Sequence, residues 1–258
     1  MARKLSRFIF IIFSLSLILV GSVFSGVAQN ATYTVNLPMV MQGQTEGPKL
    51  TICMGQEPST LYTYGNDEQA KDSILSSVYD GPFDNMTFAY QPVILTKIPS
   101  LADGDAIITS LDVQTGDLVV DDSGYPVSLE AGTLVRPAGC RSSNCAITYD
   151  GTSPLQMDQI SAAFELIPGL QWSDGITLTT ADSVYSFNLA ADPDTPVSKY
   201  VVERTASYAA LDDLVITWIG LPGYLDSSYY LNFWMPLPEH VWGAYSSLEL
   251  FDAHDPLL

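Results

Sequence analysis

The sequence predicts an α/β protein with mixed sheets and flanking helices. Three observations point there. Short β-type runs separated by turn residues fill Pro92 to Tyr149. A strand, a tight turn and a capped helix follow one another from Phe164 to Ala190. The run LVITWI at Leu214 to Ile219 is a strongly apolar strand. With 258 residues, 47% of them hydrophobic, the chain can bury a sizeable core.

Taken in order, Lys49 to Met54 reads as a first strand, with Cys53 a small buried hydrophobe in it. Pro58 ends that strand, because it holds the residue before it in extended conformations. Ala70 to Tyr79 puts Ile74, Leu75 and Val78 on one helical face and stops at Asp80-Gly81-Pro82. Ala106 to Val113, Asp117 to Val120 and Thr133 to Val135 are strands, with turns at Thr115-Gly116 and Ser123-Gly124. Leu118-Val119-Val120 is expected to pack on Leu134-Val135, with Asp121 to Gly124 as a hairpin connection.

Ser161 to Ile167 is the next strand, continued by Leu170 to Trp172 past Pro168-Gly169. Asp174-Gly175 suits a tight turn because glycine tolerates positive φ. Thr179 caps the following helix, with Asp182 as the capping-box acid three residues on. Val184, Phe187 and Asn188 recur at helical spacing, Leu189 and Ala190 complete the last turn, and Pro193 ends it. Pro238 to Leu250 predicts one more helix.

The first 28 residues differ in kind. Arg3, Lys4 and Arg7 form a basic head, Phe8 to Val20 is an almost unbroken apolar run, and Gly21 to Ala28 turns small and polar. That order reads as a secretory signal with Gly26-Val27-Ala28 as its cleavage site. The competing reading is a retained anchor, because Phe8 to Val27 matches the roughly 20 residues that cross a bilayer. Both readings put the rest of the chain outside the cytoplasm. Residues 29 to 48 read as a linker.

The formal charge is −19, and without the basic head seven Lys and Arg face 29 acidic residues. Such a surface repels phosphate backbones and excludes nucleic acid as a partner. Cys140 and Cys145 flank a short polar loop in GCRSSNCA, where a disulfide suits an oxidising compartment. No CxxC pair or clustered histidine supports zinc. Asp121-Asp122-Ser123-Gly124 resembles a calcium loop only superficially, lacking alternating ligands and a distal Glu.

No catalytic constellation stands out. There is no G-x-S-x-G elbow, no phosphate loop, no H-E-x-x-H zinc helix, and no motif that calls for a cofactor. His240 reads as packing or capping near a helix start. Carboxylates are too plentiful for any pair to be informative. Trp218, Tyr224, Tyr229, Tyr230, Phe233, Trp234, Trp242 and Tyr245 crowd into 28 residues. They fill a core or line a peptide or sugar cleft, and of Tyr229 and Tyr230 only one can face a cleft if the chain is extended.

In sequence order, TICMGQEPSTL, VYDGPFD, PGLQWSDGITLTTADSVYSF, LVITWIG and LPEHVWG resemble the family 5 extracellular solute-binding proteins of ABC transporters, the oligopeptide and dipeptide binders. The resemblance covers 49 to 258, and W-S-D-G…L-T-x-x-D-S-V-Y-S-F is its most specific block. It implies a class II periplasmic-binding-protein-like fold that closes on its ligand like a hinge trap, with a membrane permease as partner and no catalysis. It also implies the division 1–28 signal, 29–48 linker and 49–258 N-terminal part of the binding domain, the first lobe only, stopping before the second. Within it Glu57, Ser59 and Tyr62 border the ligand, while Trp172, Asp174 and Gly175 are architectural. The runner-up is a secreted carbohydrate-active enzyme or carbohydrate-binding surface protein, and a third reading is a structural surface module.

Overall fold

An antiparallel four-stranded sheet carries the fold. The computed structural model describes residues 53–85 and 88–252, and all but Cys53, Met54 and Gly55 of these lie in the larger of two compact units. In chain order the described elements are α1 (Gln69–Val78), β1 (Phe83–Asp84), β2 (Gln91–Pro92), β3 (Ala106–Val113), β4 (Leu118–Val120), β5 (Pro126–Ser128), β6 (Leu134–Val135), β7 (Ile147–Thr148), β8 (Leu155–Glu165), α2 (Thr180–Ala191), β9 (Thr205–Ala210), β10 (Val215–Gly220), α3 (Glu239–Trp242) and α4 (Ser247–Asp252). The main sheet runs β3-β8-β10-β9, and β1-β2, β4-β5 and β6-β7 are separate antiparallel pairs. The architecture is mixed α/β with antiparallel sheets. Among the described residues no helix is long and apolar enough to cross a membrane.

The ribbon of β3 and β8 serves two cores. Side chains alternate faces along a strand, so the register Ala106↔Ala162 and Ile108↔Ile160 puts those residues on one face and Leu111↔Met157 and Val113↔Leu155 on the other. The larger core gathers Ile160, Ala162 and Phe164 with Leu95, Tyr208, Ile216, Trp218 and Phe233, and Val184 and Phe187 of α2 pack onto it. The smaller core gathers Val113, Val119, Leu129, Val135, Tyr149 and Met157 beneath the short hairpins. A third cluster, Tyr62, Leu189, Leu237, Trp242 and Leu250, takes the remaining apolar edge of α2. Fully burying one large apolar side chain stabilises by about 1.5–3 kcal/mol, so the larger core dominates.

Several sequence expectations hold. β3 spans the expected residues, Gly116 and Gly124 turn at φ 96° and 87°, and Val119 and Val135 share a core. Thr179 and Asp182 form the expected capping box at the start of α2. Others are corrected. Val78 lies exposed, and Lys71 takes its place in the buried stripe of α1, its ammonium donating to the carbonyls of Thr63 and Gly65. Asn188 is exposed, while Ser183 and Ser186 are buried in its stead because their hydroxyls find Tyr208 and Tyr64. β8 begins at Leu155, earlier than its apolar pattern suggests, because Asp158 is buried through hydrogen bonds.

Leu170 to Trp172 does not prolong that strand; it turns back on Ile176 to Leu178 as a hairpin. The helix expected over Pro238 to Leu250 is two. Ser246 and Glu249 form a second reciprocal cap, which restarts the chain as α4 after Gly243. Cys53 is exposed, standing outside any strand that would turn it inward, and the rest of the expected strand from Lys49 lies outside the described residues. The signal or anchor and the linker also lie outside them.

Candidate functional site

The segment Glu57 to Tyr62 leads into α1 and splits by side. Glu57 and Ser59 are exposed, whereas Thr60 and Tyr62 are buried, the alternation of an extended chain. Ser59 is held in place: its amide donates to Glu68 Oε2 at 2.9 Å, its hydroxyl donates to Glu68 Oε1, and Asn66 Nδ2 donates to that hydroxyl at 3.3 Å. Those bonds from Ser59 hold the Glu68 carboxyl below its ordinary range. Glu57 and Ser59 therefore present a carboxylate and a fixed hydroxyl on one side, able to accept from and orient a polar ligand.

Tyr62 does not join them. Its side chain is 0% exposed and meets Trp242 and Tyr64 edge-on, with ring centroids 5.7 and 5.9 Å apart. It is a core residue of the third cluster, and burial pushes its hydroxyl pKa up. Alternation from Ser59 was the available signal: an even offset to Thr60 places Tyr62 inward.

The W-S-D-G unit and the LPEH segment meet in one knot. Trp172 and Gly175 close the turn through Gly175 N–H donating to Trp172 O at 2.9 Å, with Gly175 at φ 87°. Asp182, buried at the start of α2, accepts from Trp172 Nε1 at 3.3 Å, from Thr179 N at 3.0 Å and from Glu239 N at 3.3 Å. His240 Nε2 lies 2.8 Å from Asp174 Oδ2, and its ring sits 6.2 Å from that of Trp172. The Asp174 carboxyl is held below its ordinary range, first by the Ile176 amide and then by His240. Trp172, Asp174 and Gly175 thus shape the chain, and His240 packs where its turn meets α3.

The aromatic run divides. Trp218, Phe233 and Trp242 are core; Trp234 sits 4.7 Å from both Phe187 and Tyr208, with its amide donating to the Tyr208 hydroxyl. Tyr229 and Tyr230 are not extended. They form a 3-10 turn with Leu231, which brings their rings within 5.7 Å, and Tyr230 lies 6.2 Å from exposed Tyr90. A shallow hollow of about 400 Å³, lined by Gln114, Thr115, Tyr149, Gly151, Thr152 and Pro154, contains none of the expected site residues. Its Thr115 hydroxyl already donates to Gly151 O. Among the described residues no group of three His, Cys, Asp or Glu could hold a metal ion, and Asp122 is taken by Arg136 at 2.8 Å.

No protein-family model and no curated protein matches the chain. Solved structures do resemble it. The oligopeptide-binding protein of Thermus thermophilus, complexed with a pentapeptide, shares 18% identity over 73% of this chain and 25% of that one, with a TM-score of 0.48. The mannohexaose-bound periplasmic oligopeptide-binding protein of Thermotoga maritima shares 17% over 68% and 23%, at 0.38. The ABC transporter substrate binding protein CtaP of Listeria monocytogenes shares 15% over 77% and 30%, at 0.40. This chain spans about a quarter of the length of the first two. In structure it is similar to oligopeptide-binding proteins of ABC transporters.

Proposed function

We propose that this chain is the N-terminal part of an extracytoplasmic solute-binding component of an ABC transporter, which captures peptides or similar solutes for import through a membrane permease. Its role is binding, not catalysis. What carries the reading is the fastening of its two signature blocks to each other: W-S-D-G…L-T-T-A-D-S-V-Y-S-F meets L-P-E-H through Asp182 and through the Asp174–His240 pair. Residues that make the resemblance are thereby the residues that hold the lobe together.

In this proposal residues 1–28 export the chain, 29–48 link, and 49–258 belong to the first lobe. Glu57 and Ser59 face the ligand, with Tyr62 supporting them from the core. A second lobe closes over the solute, shifting the population toward the closed state by contacts made in both lobes. Ligand that binds only the folded state raises thermal stability. A protein carrying both lobes gains melting temperature with short peptides, and this chain alone does not. Glu57→Ala reduces that gain without lowering the unliganded melting temperature. A two-lobed protein that responds to no member of a short-peptide library would remove the peptide assignment.

A further inference from the structure

We propose that the Cys140–Cys145 disulfide is a thiol-sensitive latch that seats its own loop on the buried carboxylate of Asp158, and that reduction loosens the junction between the two cores. The cysteines are bonded, with Cα atoms 5.7 Å apart; Cys140 is 6% exposed and Cys145 is open to solvent. The loop and its lead-in supply two of the donors to Asp158: Gly139 N at 2.8 Å and Arg141 Nη1 at 2.6 Å. Ser110 Oγ of β3 supplies another at 2.6 Å. The Asp158 carbonyl accepts from Gly223 N at 2.8 Å, and the Gly223 turn also holds β4 through Val120 N donating to Pro222 O. Asp158 therefore stands where β3, β8, the disulfide loop and the turn after β10 converge.

The chemistry balances with a dithiol reductant. Its thiolate attacks Cys145 Sγ, the S–S bond breaks, and Cys140 leaves as a thiolate. The second thiol of the reductant then displaces Cys145. The protein gains two electrons and two protons as two thiols, and the reductant becomes a disulfide. The loop then loses its covalent closure, and Arg141, half exposed at its side chain, is released toward water.

Asp158 gives this a signature. Burial opposes its charged form, but the hydrogen bonds from Ser110, Gly139 and Arg141 outweigh burial and hold the carboxyl below its ordinary range. The charged group that meets it is Arg141; Asp112 lies on the same face of β3, one alternation beyond Ser110, and the Pro222-Gly223 turn brings none. A folded-state pKa below the unfolded value stabilises above that unfolded value, and the contribution is lost as pH falls through the folded pKa. Opening the loop raises the folded pKa and removes this contribution at neutral pH. The loop-closure effect of a disulfide does not depend on pH in this way.

The test is urea unfolding of the full chain, oxidised against Cys140→Ser/Cys145→Ser, at pH 7 and pH 3. The difference in midpoint shrinks on acidification, while the loop-closure part stays constant. In an Asp158→Asn background it does not change with pH. An unchanged difference with Asp158 present, or the same shrinkage without it, would overturn the proposal. Should Asp158→Asn not fold, Arg141→Gln in the oxidised protein decides: it lowers the midpoint more at pH 7 than at pH 3, and equal shifts overturn the latch.

Discussion

The two cores on the β3–β8 ribbon are held by different means. The larger relies on rings and long aliphatic side chains from distant parts of the chain: Leu95, Phe164, Tyr208, Trp218 and Phe233 come together in it. The smaller is built from neighbours in sequence and from small side chains, four of its six buried members being Val or Leu. Around it sit the disulfide, the Arg136–Asp122 pair, the Asp158 hub, and Arg204. Buried Arg204 donates from Nε and Nη2 to Gly124 O at 2.9 and 2.6 Å and lies 3.8 Å from the Tyr200 ring. A small core buries too little apolar surface to order its loops by itself, so polar and covalent fasteners make up the difference.

That contrast can be broken by substitution. Trp218→Ala empties the centre of the larger core and leaves the Thr205 hydroxyl without its indole donor. It should destabilise by about 3–5 kcal/mol and unfold the whole unit in urea, both cores together.

Gly223→Ala should act on the smaller core. Gly223 has φ 86°, and an added Cβ would lie 2.6 Å from Val120 O and 2.7 Å from Met157 Cε. A cost of about 1–3 kcal/mol is expected, with hydrogen-exchange protection lost first in β4 to β7. Equal loss in β9 and β10 would mean that the two cores open as one.

Arg204→Met removes charged hydrogen bonds and should cost about 1.5–3 kcal/mol, again read first at the β4–β5 turn by hydrogen exchange. Thr179→Ala, on the side of the larger core, removes one cap and should cost about 1 kcal/mol in a urea titration.

The smallest effect concerns the surface. Asp174 has a lowered folded pKa, so its contribution is present above the unfolded value and lost as pH falls through the folded one. His240→Ala should move the Asp174 titration upward by NMR without returning it to the unfolded value, because the Ile176 amide still donates to it. No movement would show that the pair is geometric only.

Local rules already specify much of this. Short β-type runs bounded by turn residues mark β3 and β10, glycine with positive φ marks the turns at Gly116, Gly124 and Gly175, and Thr179-x-x-Asp182 marks the start of α2. Each depends on residues within a few positions of one another, which is why sequence suffices. The segment proposed to face the ligand was legible only in part. Glu57 and Ser59 are exposed, but Tyr62 goes to the core, because Trp242 and Leu237, far along the chain, provide its surroundings.

Tertiary structure alone decided the rest. Asp182 looks like a helix cap in sequence, yet it also accepts from the Glu239 amide, 57 residues away. Asp158 lies before the strand that the sequence predicts from Ser161, yet β8 includes it, and Ser110 and Arg141 make its burial possible. A buried polar group is tolerated only where partners meet it, and which partners meet it is a property of the packed chain. By itself the sequence determined the elements, their caps and their turns. Packing determined which polar residues hold those elements together, and that one ribbon carries two cores.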